Sequence, residues 1–426
     1  MCSSDLVALD SFASRLAWRV GPQSGGAPPA IEVSLTDTEF ANADAQGKLG
    51  TATWRTGPGA GSGRGARFPG QLDLAGQLTR GNVAAVGRYL PLGVSEPARR
   101  YVERAVTAGR VTAASFRVRG DLADFPFVAH PLAASARPAV PPAGEFRIVG
   151  RVQDAQFAYV PPRGEAPSPW PAFSAVSAEL VFDRTSLEIR DAQARLWGLE
   201  LSKVNGSIKD LAHPAVRIDG QVRGPLADLV RYVNESPVSG WTGRALREAT
   251  ATGNADLRLA LELPLAEIER STVQGTLNLP GNDLRIVSAM PALAGTRARV
   301  TFNQKGLAVA GASARVLGGE ATFEGGTQAD GSLRFAGQGV ATAEGLRRAV
   351  EFGSVSRLAA SASGQAPYRL ALGIVRGRTE FTLTSPLTGL ALELPAPLRK
   401  TADATWPLRV ETRGVADSPT RETVRV

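Results

Sequence analysis

Cysteine is almost missing from this 426-residue chain: the one present, Cys2, leaves no internal disulfide and no cysteine-based metal cluster. Histidine is nearly as scarce. His130 and His213 are each followed by proline and stand beside no Ser or Cys nucleophile motif, and two histidines cannot build a His-rich metal site. Lysine occurs only at Lys48, Lys203, Lys209, Lys305 and Lys400, so the other 43 of the 48 basic residues are Arg. These arginines are scattered, with short pairs such as Arg99–Arg100 and Arg347–Arg348. The net charge of +8 therefore lacks the concentrated patch of a nucleic-acid surface, and no nucleic-acid partner is expected. Dispersed positive charge suits anionic headgroups or glycans at an envelope surface better. No apolar run reaches the ~18–20 residues of a membrane helix. The opening MCSSDLVALD has neither the basic nor the apolar region of a signal peptide. Both ends look cut, and the expectation is a piece of a longer chain.

What the chain has in quantity is alternation. Hydrophobic residues make up 43%, which argues against disorder, while 46 Gly and 29 Pro fit many turns between short elements. Leu257-Arg-Leu259-Ala-Leu261-Glu-Leu263 repeats with period two, as do Val300-Thr-Phe302, Leu307-Ala-Val309, Leu333-Arg-Phe335, Tyr368-Arg-Leu370-Ala-Leu372 and Phe381-Thr-Leu383. Side chains alternate across a strand, so each run has one oily face and one polar face. Asn205-Gly206, Gly318-Gly319, Gly325-Gly326 and Asp330-Gly331 read as turns between them, and such short connections make neighbours antiparallel. The expected fold is mainly β: an elongated, repetitive antiparallel meander curled into an open apolar groove, with a few short amphipathic helices.

Helical spacing marks three places. Ala98, Tyr101, Val102, Ala105 and Val106 share a face, with Ser95 as N-cap, Pro97 in the first turn and Gly109 at the close. Leu226, Leu229, Val230 and Val233 form a second such face, and Leu346, Ala349 and Val350 a third. Gly-Gln steps at Gly76, Gly220 and Gly337 each end a strand that runs into a short amphipathic segment: GNVAAVGRYLP (81–91), PLADLVRYVNESP (225–237) and TAEGLRRAVEF (342–352). Residues 173–206 also resemble 293–326 in strand order and turn placement, so an internal repeat is expected. The domain reading is a partial β segment over 1–64, a β segment with helices over 65–130, a Pro-rich linker over 131–144 and a repetitive β-groove region over 145–426.

Catalytic chemistry finds no foothold. The glycine stretch 57–65 opens no helix and lacks the Lys-Ser/Thr of a phosphate loop, so it reads as a hairpin tip. Asn205-Gly206-Ser207 matches a glycosylation acceptor and is read as a turn. No catalytic residue, metal ligand or cofactor is expected.

Four stretches are more specific: RGDLADFPF (119–127), Tyr159 with Trp170-Pro171, YVNESP (232–237) and SPLTGLALELPAPLRKTADATWPLR (385–409). In this order they resemble the YhdP-type members of the AsmA-like family of Gram-negative envelope proteins, over roughly residues 65–426. The resemblance implies a large periplasmic body anchored in the inner membrane by an N-terminal helix that this chain lacks. It further implies an open, curved β-sheet with an apolar groove, and movement of phospholipid between inner and outer membranes that maintains the outer-membrane permeability barrier. The implied partners are phospholipid acyl chains, with both membranes reached through the full-length protein. Candidate groove residues are Leu257, Leu259, Leu261, Leu263, Leu277, Leu279, Val300, Phe302, Leu333, Phe335, Leu370, Leu372, Phe381, Leu383, Leu390, Leu392 and Leu394. Arg399 and Lys400 are headgroup candidates at an open rim. The competing expectation is a non-catalytic periplasmic scaffold whose interior is filled by these same side chains.

Overall fold

The structure, a computed structural model, describes residues 7–22, 28–90, 94–128, 143–162, 164, 166–288, 290–375, 378–414 and 422–425. The chain groups into two compact units: Met1–Leu196 with Leu201–Gly220 and Glu262–Ser271, and Trp197–Glu200 with Gln221–Leu261 and Thr272–Val426. The Pro-rich stretch 131–144 lies, up to residue 142, outside the described residues.

In the first unit, strands β1 (Ser11–Val20), β2 (Ile31–Ala41), β3 (Ala45–Arg55), β4 (Gln71–Asn82), β5 (Val106–Asp121), β6 (Gly144–Phe157), β7 (Phe173–Asp183) and β8 (Ser186–Leu196) each pair antiparallel with the next. Helix α1 (Glu96–Ala105) precedes β5. Strands β9 (Leu199–Ile208) and β10 (Ala215–Pro225) have residues in both units.

The second unit begins its regular structure with α2 (Leu226–Glu235), α3 (Val238–Trp241), the short β11 (Thr250–Ala251) and β12 (Asn254–Pro264), whose last residues group with the first unit. Strands β13 (Thr272–Arg285), β14 (Leu293–Asn303), β15 (Gly306–Val316), β16 (Gly318–Thr327) and β17 (Leu333–Thr342) follow, each antiparallel to the one before. Helices α4 (Ala343–Arg348) and α5 (Ser354–Leu358) come next, then β18 (Ala362–Val375), β19 (Arg378–Ser385), β20 (Leu390–Leu392), β21 (Leu408–Gly414) and β22 (Glu422–Arg425). The antiparallel order runs on from β17 through β18, β19 and β21 to β22, while β20 pairs with the first residues of β18. This is the expected mainly-β meander with few short helices. Each unit's sheet is open.

The repeat is carried by the backbone as well as the sequence. Strands β7, β8 and β9 have 11, 11 and 10 residues, and so do β14, β15 and β16. Phe182 pairs Leu187 in one hairpin and Phe302 pairs Leu307 in the other. Positive φ angles recur 120 positions apart, at Ala175 and Gly295, Asp191 and Gly311, Trp197 and Leu317. β10 passes directly into α2 and β17 into α4, while β4 passes into a 3-10 turn, Val83–Tyr89. In two of these the last strand residue caps the turn: Asn82 accepts from Ala84 N–H, and the Thr342 hydroxyl accepts from Gly345 N–H at 2.9 Å.

Three local expectations are corrected. Gly109 does not close α1: the helix ends at Ala105 because Val106 already has extended backbone (φ −117°), and Gly109 lies inside β5. Ser95 occupies the N-cap position, yet its side chain makes no capping hydrogen bond. Asn205-Gly206 and Gly325-Gly326 are not turns but interior residues of β9 and β16. Glycine serves there to admit a neighbour, since a Cβ on Gly206 would press on Ile189 and one on Gly325 would meet Phe335. Asp330-Gly331 is a tight turn as expected (Gly331 φ 81°), and the turn expected at Gly318-Gly319 falls one residue earlier, at Leu317-Gly318 (φ 53° and 83°).

Candidate functional site

Directly paired residues of antiparallel strands share a sheet face, so the pairing register lines side chains up in rows across the strands. In the second unit one row crosses seven strands: Leu277 pairs Val300, Val300 pairs Val309, Val309 pairs Gly325, Gly325 pairs Phe335, Phe335 pairs Leu372, and Leu372 pairs Phe381. At about 4.8 Å per strand the row is about 29 Å long, longer than an extended fatty acyl chain. A parallel row on the same face runs Phe323, Gly337, Leu370, Leu383, Val410. Another starts at Phe302 and Leu307 and continues past Thr327 to Leu333. All the apolar side chains of the seven-strand row are half-buried, and none is buried outright. The alternate residues Arg299, Thr301, Ala308, Arg334, Ala336, Arg369 and Ala371 are exposed on the opposite face.

Coverage is confined to one end of this face. Ala314, Val316, Ala321, Ala341 and Tyr368 form a buried cluster, closed over by Leu346 of α4 and by Leu317. Burial raises the Tyr368 phenol to about pKa 12. The boundary is marked by bulges: β14 shifts register around Gly295 (φ 61°) and β15 around Gly311 (φ 59°), between half-buried Val309 and buried Ala312. A bulge bends its strand and adds twist, so the covered end is turned away from the plane of the open rows.

The expected groove residues divide accordingly. Leu277, Val300, Phe335, Leu372 and Phe381 stand in one row, with Phe302, Leu333, Leu370 and Leu383 in the rows beside it. Leu257, Leu259 and Leu261 are half-buried on β12, alternating with exposed Arg258 and Ala260. Leu263 is half-buried too, in the part of β12 that groups with the first unit. Leu279 is buried against Leu226 of α2 and Ala255. Leu390 is 5% exposed, packed with Ala343, Ala362 and Ala366, and Leu392 leans on the same cluster. Leu394 is half-buried beyond β20. Arg399 is exposed, but Lys400 is not at an open rim. It is 3% exposed, and its ammonium donates to the carbonyls of Leu390 (2.8 Å) and Thr401 (3.1 Å), which fix it inside the protein.

Other residues of these rows were not among the groove candidates, although Leu307 and Val309 were read as strand. Leu307, Val309, Phe323 and Val410 join the second unit's rows. The first unit has a row of its own: Leu49, Gly76, Phe116, Ile148, Phe182, Leu187. The period-two signal was present in Phe146-Arg-Ile148 and Leu187-Glu-Ile189. Cross-strand register, which joins such pairs into a row, is not written in any one strand. Several arginines pair with carboxylates across strands, including Arg117–Asp73 and Arg147–Asp183 (both 2.8 Å), Arg151–Glu179 (3.2 Å) and Arg217–Glu262 (2.8 Å). Hydrogen bonding to Asp256 and Glu188 raises the Arg223 and Arg190 guanidinium pKa values further. No group of His, Cys, Asp and Glu that could hold a metal ion occurs among the described residues.

Comparison with known proteins decides the family. A family model described as YhdP protein matches residues 5–425. The chain belongs to the YhdP family. One relative, the intermembrane phospholipid transporter YhdP of Escherichia coli (strain K12), is 29% identical over 143 residues, which cover 34% of this chain and 11% of that protein. No solved structure matches the chain. Among the described residues, no helix is long and apolar enough to cross a membrane.

The stretches that carry the likeness to the YhdP family act as plugs. In RGDLADFPF, Phe127 is fully buried over Gly120 and Gly144, and Phe125 meets Phe146 edge-on at 5.0 Å. The Asp121 carboxylate accepts from Ala123 N–H and Gly65 N–H, and Asp124 pairs Arg64 at 3.0 Å. The end of the glycine stretch 57–65 is thus held by two carboxylates. Tyr159 packs on Trp170 (5.7 Å) and Phe173 (5.2 Å) and accepts at its carbonyl from the Tyr101 hydroxyl. In SPLTGLALELPAPLRK, Ser385 donates to Pro367 O and accepts from Leu387 N–H, fastening the segment that buries Leu390.

Proposed function

We propose that this chain is a stretch of a periplasmic conduit along which phospholipid acyl chains pass between the inner and outer membranes, and that its work upholds the outer-membrane permeability barrier. Attachment to the inner membrane belongs to the rest of the protein. One observation carries the reading: a seven-strand apolar row, with further rows beside it, left half-covered by the protein that forms it.

The physics supports it. A strand must hide its oily face, against a second layer or against something else. At roughly 0.8 kcal/mol per methylene, some 30 methylenes of a diacyl lipid cost on the order of 20 kcal/mol in water. A continuous row of Leu, Val and Phe removes most of that, and its sameness from strand to strand leaves no deep trap. Arg399, exposed beyond the last groove residue, remains a headgroup candidate. The reading asks for no catalytic residue and no cofactor; transport is diffusive.

The test places a photo-crosslinking amino acid at Leu372 and, as a control, at Ala371 on the opposite face, in the full-length parent protein in cells labelled with radioactive phosphate. Labelled phospholipid should be captured at 372 and not at 371. The change Val300→Asp together with Leu277→Asp should abolish capture while the protein remains folded. Equal capture at both positions, or none at 372, overturns the conduit and leaves the scaffold.

A further inference from the structure

Three aromatic rings of the apolar rows press on the glycine directly across from them: Phe116 on Gly76, Phe302 on Gly275, and Phe335 on Gly325. In each case a Cβ built on the glycine would overlap the ring atoms of its partner. Gly76 and Gly275 have no positive φ, so the backbone there does not require glycine. Glycine inside a strand is destabilising relative to alanine. What these two glycines supply is room, and the ring uses it to lie flat across the neighbouring strand.

We infer that the glycine–aromatic pairs are positioning residues that keep the floor of the apolar trough low, and so set how bulky a lipid chain can pass. This rests on the conduit reading. With a methyl in the glycine's place, the ring can no longer lie down and must stand up into the space an acyl chain would occupy. The pairing has a known purely structural benefit, the covering of a strand glycine by an aromatic ring. The two roles predict different things. A structural role makes stability the quantity that changes. A clearance role makes lipid capture change, and makes it recover when the ring is shortened.

The experiment uses the full-length protein in cells labelled with radioactive phosphate and a photo-crosslinking amino acid at Leu277, next along the strand from Gly275. Gly275→Ala should lower phospholipid capture about fivefold or more, the scale of an overpacking penalty of roughly 1 kcal/mol or above. Gly275→Ala with Phe302→Leu should restore capture to the level of Phe302→Leu alone. If Gly275→Ala does not accumulate, Gly76→Ala read with a crosslinker at Ile148 makes the same test in the first unit. Capture unchanged by the alanine, or lost and not regained in the double variant, overturns the inference while the conduit stands. No capture in the unsubstituted protein overturns the conduit and this inference with it.

Discussion

Strand β18 contains two regions that read alike and end differently. Ala366, Tyr368, Leu370 and Leu372 point to one face. Ala366 and Tyr368 are buried (4% and 8% exposed), whereas Leu370 and Leu372, the next rungs, remain half-open. Composition does not separate them, because the more polar side chain is the better hidden. Helix α4 does, by packing across β16, β17 and β18 at one end only. The same sheet face is thus core at one end and a lining at the other, and an apolar side chain's neighbours along the strand do not say which it will be.

Truncation should expose that difference most strongly. Tyr368→Ala should cost about 3–5 kcal/mol, as for other buried aromatics, and Leu372→Ala less, about 1–2 kcal/mol, because part of its surface is already wet. Denaturant melts of the two variants check this. Equal losses would mean that the open rows are core after all.

A smaller effect should appear in alkali. The folded Tyr368 phenol, at about 12, lies above its unfolded value near 10, so between those limits the folded state holds the proton more tightly. Its contribution is complete below pH ~10 and fades as pH rises toward 12, by at most about 3 kcal/mol. Tyr368→Phe should remove this part of the alkaline slope, as seen by comparing Tm against pH for the two proteins. A slope identical in both would show that the ring is not sealed from water.

The least effect belongs to the polar face. Arg147→Ala breaks a pair with Asp183 whose side chains are about 40% exposed. It should change stability by less than about 1 kcal/mol and leave lipid capture at Leu372 unaltered. A larger loss would mark the arginine ladder as more than solvated trim.

Much of this could be read in advance. Period-two runs placed Leu333, Phe335, Leu370, Leu372, Phe381 and Leu383 on strands with the correct face inward, and the Gly-Gln strands did run into turns or helices. Misreadings clustered where one residue type serves two purposes. Gly206 and Gly325 have the composition of turns, yet they sit inside strands to make space for Ile189 and Phe335. Lys400 looks like a rim cation, yet two backbone carbonyls hold it inside.

By itself the sequence determined which side chains share a face, because alternation is built into the geometry of an extended chain and needs no partner. It also determined the repeat, through matching turns and bulge positions 120 residues apart. Only the tertiary structure decided which apolar residues stay uncovered. Leu390 is closed in and Leu372 is not, since covering a face depends on elements far along the chain, and α4 is long enough to cover one end of it.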